Sequence, residues 1–338
     1  MNPRPLLSRR RLLGGGVAVL AVAGLTACGA DDSPTDVPAA GAPEAPDGPW
    51  TWTDDLGQEI ELEKSPVRIA AYGDAAAALM NFGITPVALF HYIPPSEDAT
   101  FESLDLSDVE IVGEVIGEIN LEQLAAAAPD LIITTSYEGE KPELMYGFKD
   151  ESQMEKVRAI APVIGVMQSG SALDVIKTNE KLVVALGIDI ESGTVADQRT
   201  AFEAASAELT EAARSGLSLV PLYAEEAAGI YYAKAPDDPA LAFYQSLGVQ
   251  FTEVGGKDYY WHQVSWENAD AYTSDIVLYS LRGSLTPEQL QDQPTFATLP
   301  AAKAEQLHPW KFKSMDYPSQ TSYMKELAGW LTTDTKVT

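Results

Sequence analysis

The period of the apolar positions changes repeatedly along this chain. Trp52-Thr53-Asp54-Asp55-Leu56-Gly57-Gln58-Glu59-Ile60 alternates apolar and polar residues, which predicts an exposed hairpin. Residues 67–72 form a short apolar run behind Pro66, closed by Gly73-Asp74, and read as a buried strand. A helix over 75–82 ending at Gly83, a strand over 86–90, a helix over 121–128 stopped by Pro129 and a strand over 131–135 follow. Strand-helix-strand alternation with short connections implies a mostly parallel sheet covered on both faces. Residues 194–215 are the longest helical stretch, with Val195, Phe202 and Leu209 at seven-residue steps and Gly216 at the end. At 1.5 Å per residue it spans roughly 33 Å, enough to cross a lobe. The alternation then resumes: strands over 219–223, 230–233 and 276–281, a helix over 240–248 and a closing helix over 323–331. No short-period repeat is evident. The expected fold is α/β, two sheet-containing lobes joined by a single long backbone helix: residues 50–193, 194–216 and 217–338.

Composition narrows the function. The 338 residues are 46% apolar and 21% charged, enough for real cores and against disorder. The net charge of −28 would repel phosphate backbones, so no nucleic-acid partner is expected. The single cysteine excludes internal disulfides and multi-cysteine metal sites. Its position is informative. Arg4, Arg9, Arg10 and Arg11 precede an apolar, Gly/Ala-rich run over 12–27, sixteen residues, short of the roughly 20 a membrane span needs. The run ends in Leu25-Thr26-Ala27-Cys28, which resembles the bacterial lipobox, whose cysteine receives a diacylglycerol and becomes the first mature residue. Ser8-Arg9-Arg10-Arg11-Leu12-Leu13 is similar to a twin-arginine export signal. Residues 1–27 are thus expected to be a signal peptide and Cys28 the lipidation site, anchoring the protein to the outer face of the bacterial cytoplasmic membrane. Cleavage removes four arginines and no acid, leaving 18 basic against 50 acidic residues, net −32. Residues 28–49 carry Pro34, Pro38, Pro43, Pro46 and Pro49 and only Val37 as a large apolar residue, the composition of a flexible tether.

Three local patterns point to a family. Asn120-Leu121-Glu122-Gln123-Leu124 precedes Ala128-Pro129-Asp130-Leu131-Ile132-Ile133. Val264-Ser265-Trp266-Glu267-Asn268 precedes Thr273-Ser274-Asp275-Ile276-Val277-Leu278. Val67-Arg68-Ile69 precedes Leu79 and Phe82-Gly83-Ile84-Thr85-Pro86-Val87. Together, over residues 52–333, they resemble the substrate-binding lipoproteins of ABC importers for iron–siderophore complexes and cobalamin. The resemblance implies a monomer with its ligand in the cleft between lobes that move little. It also implies one glutamate per lobe, Glu122 and Glu267, pairing with arginines of the membrane permease. Two carboxylates held far apart on rigid lobes would engage two arginine clusters in one orientation only.

Ligands of open α/β sheets bind beyond the carboxyl ends of the strands. That rule nominates Tyr72, Asp74, His91, Tyr92 and Tyr137 from the first lobe. From the second it nominates Tyr231, Tyr232, Tyr259, Tyr260, Trp261, His262, Arg282, Trp310 and Lys311. Aromatic side chains give large contact area at low entropic cost, which suits a bulky, partly apolar chelate. Arg282 is expected to point its fork at the metal-bound oxygens. Only Arg282, Lys311 and Lys313 supply cleft cations, so a neutral or cationic hydroxamate complex fits better than an anionic catecholate or citrate. The protein itself needs no cofactor; its ligand is expected to be an Fe(III)–siderophore. Alternatives stay open: haem or cobalamin; a bare Zn, Mn or Fe ion held by His91, His262 and Asp74, or ferric ion on Tyr231-Tyr232; and a surface sensor or scavenger without a permease. His308, before Pro309, is expected to cap a loop. No Gly-x-Ser-x-Gly elbow, P-loop, His-Glu-x-x-His or Gly-x-Gly-x-x-Gly turn is present, so no enzyme is expected.

Overall fold

The computed structural model describes residues 48–191 and 193–338, which fall within a single compact unit. The export signal over 1–27, Cys28 and the tether up to residue 47 lie outside the described residues. Among the described residues no helix is long and apolar enough to cross a membrane.

The chain enters through β1 (Trp50–Thr53) and β2 (Glu59–Leu62), an antiparallel hairpin. The hairpin is less exposed than its alternation suggests. Trp50 is buried and its indole Nε1 donates to Ala185 O at 2.9 Å. Asp54 closes the turn through Gln58 N and also accepts from Gly165 N, pinning the hairpin onto a neighbouring strand.

The first main sheet is built from β3 (Ile69–Tyr72), β4 (Ala88–Phe90), β5 (Glu110–Gly113), β6 (Leu131–Ser136) and β7 (Val163–Met167). Its order is β5-β4-β3-β6-β7 and every pairing is parallel. β3 and β6 are buried at every position, as a sheet covered on both faces requires. Its helices are α1 (Gly73–Asn81), α2 (Leu121–Ala126), α3 (Glu151–Arg158) and α4 (Ala172–Ala185). α1 follows β3 with no intervening loop, and its alanines 75–78 let it lie close on the sheet. α2 is capped by Asn120 Oδ1, which accepts from Glu122 N and Gln123 N. β5, α3, β7 and α4 were not anticipated from the pattern, although Ser171 and Asp174 form a full capping box at the head of α4.

α5 (Gly193–Ala212) joins the halves, tightens into one 3-10 turn over Ala213–Ser215 and stops at Gly216, whose φ is 68°. The second half contains β8 (Ser218–Glu225), β9 (Gly229–Ala233), α6 (Pro239–Ser246), β10 (Gln250–Phe251), β11 (Trp261–Val264) and β12 (Ile276–Ser280). α7 (Pro287–Gln291), α8 (Pro300–Lys303), β13 (Leu307–Trp310) and α9 (Tyr317–Thr333) complete it. The sheet runs β11-β9-β8-β12-β13, with β10 also beside β8. β8, β12 and β13 are parallel; β9 is antiparallel to β8 and β11 antiparallel to β9.

The bridging helix is held on both sides. Phe202 of α5 stacks on Phe243 of α6 and meets Tyr317 of α9 edge-on, each at 5.3 Å between centroids. Arg199 pairs with Glu180 of α4 at 2.7 Å, and the Tyr317 hydroxyl donates to that same carboxylate. One continuous apolar core runs from β3 and α1 through α4, α5 and α9 to β8 and β12. The two sheets are thus lobes of one body.

α9 begins six residues earlier than its apolar pattern indicates. Its first turns carry Ser319, Gln320 and Thr321, polar yet buried. Asp316 caps it, accepting from Ser319 N at 2.8 Å and from the Ser314 hydroxyl. Burial pushes the Asp316 carboxyl up to about 6, against the opposing pull of these donors. A carboxyl raised in the folded state stabilises below its unfolded value near 3.8, and that contribution is lost as pH climbs through the folded value. Urea midpoints of the wild type should therefore fall between about pH 4 and 6 relative to Asp316→Asn, which keeps the cap but cannot ionise. Parallel pH profiles for the two proteins would refute this.

Candidate ligand-binding site

The carboxyl ends of both sheets open on one cleft of about 680 Å³. In the first sheet the chain runs outward from β3 through β4 to β5, then returns to the other side of β3 as β6. The segments leaving β3 and β6 at this reversal deliver Tyr72, Asp74 and Tyr137, the place where an open α/β sheet accepts a ligand. Tyr92 lines the same wall, as does Tyr146 from the connection between β6 and α3. Tyr146 meets Tyr72 and Tyr137 edge-on at 5.4 and 5.0 Å. Glu140 fixes this connection by accepting from the backbone N–H groups of Tyr137 and Tyr146.

The facing wall comes from the second sheet. Tyr223 on β8 and Tyr231 on β9 are register partners, and Trp261 of β11 lies 6.3 and 6.5 Å from their rings. Trp261 also meets Tyr260 at 4.8 Å and Trp310 at 6.0 Å, and Trp310 leans on Phe312 at 4.2 Å. Tyr260 holds a left-handed φ of 66°, uncommon for a bulky residue. Asp237 and Asp238 hold it there, accepting from its N–H at 3.1 Å and its hydroxyl at 2.8 Å. Tyr259 sits beside it, exposed at the rim.

Strand parity corrects two expectations. Successive side chains of a strand point to opposite faces. Tyr231 therefore faces the cleft while Tyr232 turns into the core behind the sheet, fully buried, its hydroxyl donating to Ala269 O at 2.7 Å. His262 pairs in register with Tyr232 and lies on that same far face against Tyr272. Neither lines the cleft, and the adjacent Tyr231-Tyr232 pair cannot close on one ion. His91 is also no cleft residue. It is buried beneath the floor among Tyr72, Tyr92 and Phe101, with Nε2 2.9 Å from Asp98 Oδ2. The two histidines proposed for a metal are thus not brought together. Among the described residues no group of three His, Cys, Asp or Glu could hold a metal ion. His308 caps no loop: it lies on β13, stacked on Trp330 at 4.5 Å, with Nε2 2.6 Å from Asp334.

Arg282 leaves the end of β12 and crosses to the first lobe. Its Nη2 donates to Asp74 Oδ1 at 2.7 Å, to Thr100 Oγ1 at 3.0 Å and to Phe312 O at 3.3 Å. Its Nε lies 3.1 Å from Asp98 Oδ2, and its plane covers the rings of Tyr92 and Phe312. One arm of the fork expected to face a ligand, Nη2, is engaged with protein partners. Burial alone would raise the Asp98 carboxyl, but the His91 bond, the Arg282 charge and the Thr100 N–H together hold it below the usual carboxylate range. Lys311 pairs with Glu326 at 2.7 Å, and Lys313 with Glu102 at 2.8 Å.

The phenols are shifted the other way. Burial, reinforced by the Asp74 charge, raises Tyr72 and Tyr137 well above their ordinary value. Burial and then the Glu225 hydrogen bond push Tyr223 up to about 12. At neutral pH these hydroxyls remain protonated, and the Tyr72 hydroxyl makes no well-formed hydrogen bond among the described residues. The cleft thus offers aromatic faces and phenolic donors, a surface for an apolar body studded with acceptor oxygens.

The sequence reading left out Tyr146, Tyr223, Glu140, Gln168, Asp238, Phe312 and Met315, all of which line the cleft. Tyr223 stands near the carboxyl end of a predicted strand and was within reach of the same rule. Tyr146, in an unpatterned connection, left no signal.

The family model for periplasmic binding proteins matches residues 84–313, more than half of the chain. The chain belongs to the periplasmic binding protein family. This binding protein is similar to DesE, a ferric-siderophore receptor protein from Streptomyces coelicolor, with 25% identity, a TM-score of 0.77 and coverage of 86% of this chain and 100% of that one. It also shares its fold with PiuA, an iron uptake ABC transporter substrate-binding protein from Streptococcus pneumoniae. There the identity is 21% and the TM-score 0.63, covering 85% and 100% of the two chains. FhuD2 from Staphylococcus aureus, solved with bound ferrioxamine B, gives 18% and 0.58 over 78% and 98%. No curated protein matches in sequence.

One close approach in this binding protein is testable. A Cβ on Gly73 would lie 2.1 Å from His91 Nδ1, nearer than real atoms come. Gly73→Ala should displace His91 from Asp98 and lower stability by about 2 kcal/mol, the usual scale of overpacking. An unchanged urea midpoint would show that the floor yields freely.

Proposed function

We propose that this protein is the substrate-binding lipoprotein of an ABC importer, capturing a ferric siderophore of the hydroxamate type and presenting it to the permease. The observation that carries this reading is the cleft itself: about 680 Å³ between the carboxyl ends of two sheets, walled by tyrosines from both and by Trp261 and Trp310 from the second. That volume suits a metal chelate wrapped in organic ligand far better than a bare ion. Similarity to DesE along 86% of this chain supports the same ligand class. Protonated phenols favour a neutral complex with outward oxygens. The pairing of Arg282, Lys311 and Lys313 with carboxylates weighs against a polyanionic catecholate.

Intrinsic fluorescence tests the reading. Trp261 and Trp310 lie within the cleft, so saturating ferrioxamine B or ferrichrome should quench emission with sub-micromolar affinity. Saturable quenching by haem or cobalamin instead, with silence toward every ferric chelate, would overturn the siderophore assignment.

Delivery and anchoring belong to the same proposal. Glu122 stands in the first turn of α2, and Glu267 in the first turn of the 3-10 helix Trp266–Ala271. Both are exposed, and among the described residues neither has a basic partner. We assign them to the permease contact and Cys28 to lipid attachment. Charge reversal, Glu122→Arg with Glu267→Arg, should abolish uptake of the labelled chelate while leaving its affinity within about twofold. Normal uptake by the double variant would favour a sensor or scavenger.

A further inference from the structure

Two carboxylates meet Arg282, and they are held very differently. Asp98 is locked beneath the floor, its oxygens taken by His91 Nε2, the Thr100 N–H and the Tyr92 hydroxyl. Among the described residues Asp74 hydrogen-bonds to Arg282 alone, through Oδ1, and it lines the cleft with its side chain 17% exposed. Its second oxygen has no hydrogen bond among the described residues. Asp98 therefore serves the floor whatever occupies the cleft, whereas Asp74 lines the cleft beside the guanidinium, the two side chains 17% and 16% exposed.

The other cations offer an anionic group no alternative. Lys311 and Lys313 are paired with Glu326 and Glu102, and Lys313 also donates to Ala99 O at 2.7 Å. Glu140 and Asp238 add two more carboxyl groups to the lining, neither with a basic partner among the described residues. An anion reaching Arg282 would have to evict Asp74 or sit as a third anion beside one guanidinium. The low dielectric of a buried cleft strengthens that repulsion.

We infer that Asp74 sets the charge specificity of the cleft: it closes the Arg282 fork to anionic groups and turns a free carboxylate oxygen to the ligand, admitting neutral and cationic chelates. The inference rests on the siderophore reading and adds to it a residue that selects among chelates. Removing the Asp74 charge should leave Arg282 matched one-to-one by Asp98, opening a cationic subsite for anionic oxygens.

The test is a set of fluorescence titrations of the purified protein and Asp74→Asn with singly cationic ferrioxamine B, neutral ferrichrome and a trianionic ferric tris-catecholate. The wild type should bind the two hydroxamates and discriminate against the catecholate. Asp74→Asn should tighten catecholate binding relative to ferrichrome binding about tenfold or more, which corresponds to about 1.4 kcal/mol. Asp74→Ala should move the ratio the same way, which excludes an effect of the new amide. An unchanged ratio in both folded variants overturns the role of Asp74. A wild type that binds the catecholate tightest also overturns it while sparing the siderophore reading. A wild type that binds none of the three removes both.

Discussion

Arg282 leaves a strand of one sheet and is received by Asp74 and Asp98 of the other lobe, at 2.7 and 3.1 Å. A guanidinium taken out of water is tolerated only when its charge and its donors are met, and leaving such a group unpaired costs several kcal/mol. The carboxyl end of β12, the β3–α1 junction and the 3-10 turn over Ala99–Phe101 are therefore fixed relative to one another. The floor of the cleft follows from that requirement. His91 and Tyr92 brace Asp98, Thr100 and the Phe312 carbonyl accept from the same guanidinium nitrogen as Asp74, and Lys313 adds a second crossing to Ala99 and Glu102. This ionic floor and the continuous apolar core through α5 and α9 join the lobes at two levels.

The walls follow a different logic. Rings from both sheets surround the cleft, and burial keeps their hydroxyls protonated. Such a surface gains affinity from contact area and orients its ligand through a few donors, the usual division of labour in small-molecule sites. The strained backbone at Tyr260 belongs here, because two adjacent aspartates keep the ring between Trp261 and the head of α6. Floor and walls thus make separate demands on a ligand: charge at the floor, shape and apolar area at the walls.

Much of the fold was legible in the chain. Buried parallel strands read as short apolar runs because both faces are covered, and β3, β6, β8 and β12 stand where that pattern placed them. α5 was legible because its heptad-spaced apolar residues end at a glycine in the left-handed region. The early turns of α9 were illegible, since Ser319, Gln320 and Thr321 are polar by composition and buried by neighbours far away in sequence. Strand-end reasoning found Tyr72, Asp74, Tyr92, Tyr137, Tyr231, Tyr259, Tyr260, Trp261, Arg282, Trp310 and Lys311, which all line the cleft. It misplaced Tyr232 and His262 for want of strand register, and His91 for want of the depth at which β4 ends.

The sequence by itself determined the alternation of strand and helix, the family and the end of each sheet at which chemistry collects, because these depend on local period and on rules of chain direction. Only the tertiary structure decided which aromatic ring faces the cleft and which the core, since one residue of strand register reverses every side chain. It alone decided the state of Arg282 as well. The cation and its two carboxylates lie about 180 to 210 residues apart in the chain. No local pattern encodes an ion pair closed across so long a loop; folding brings its members together, and the cost of burying their charge holds them there.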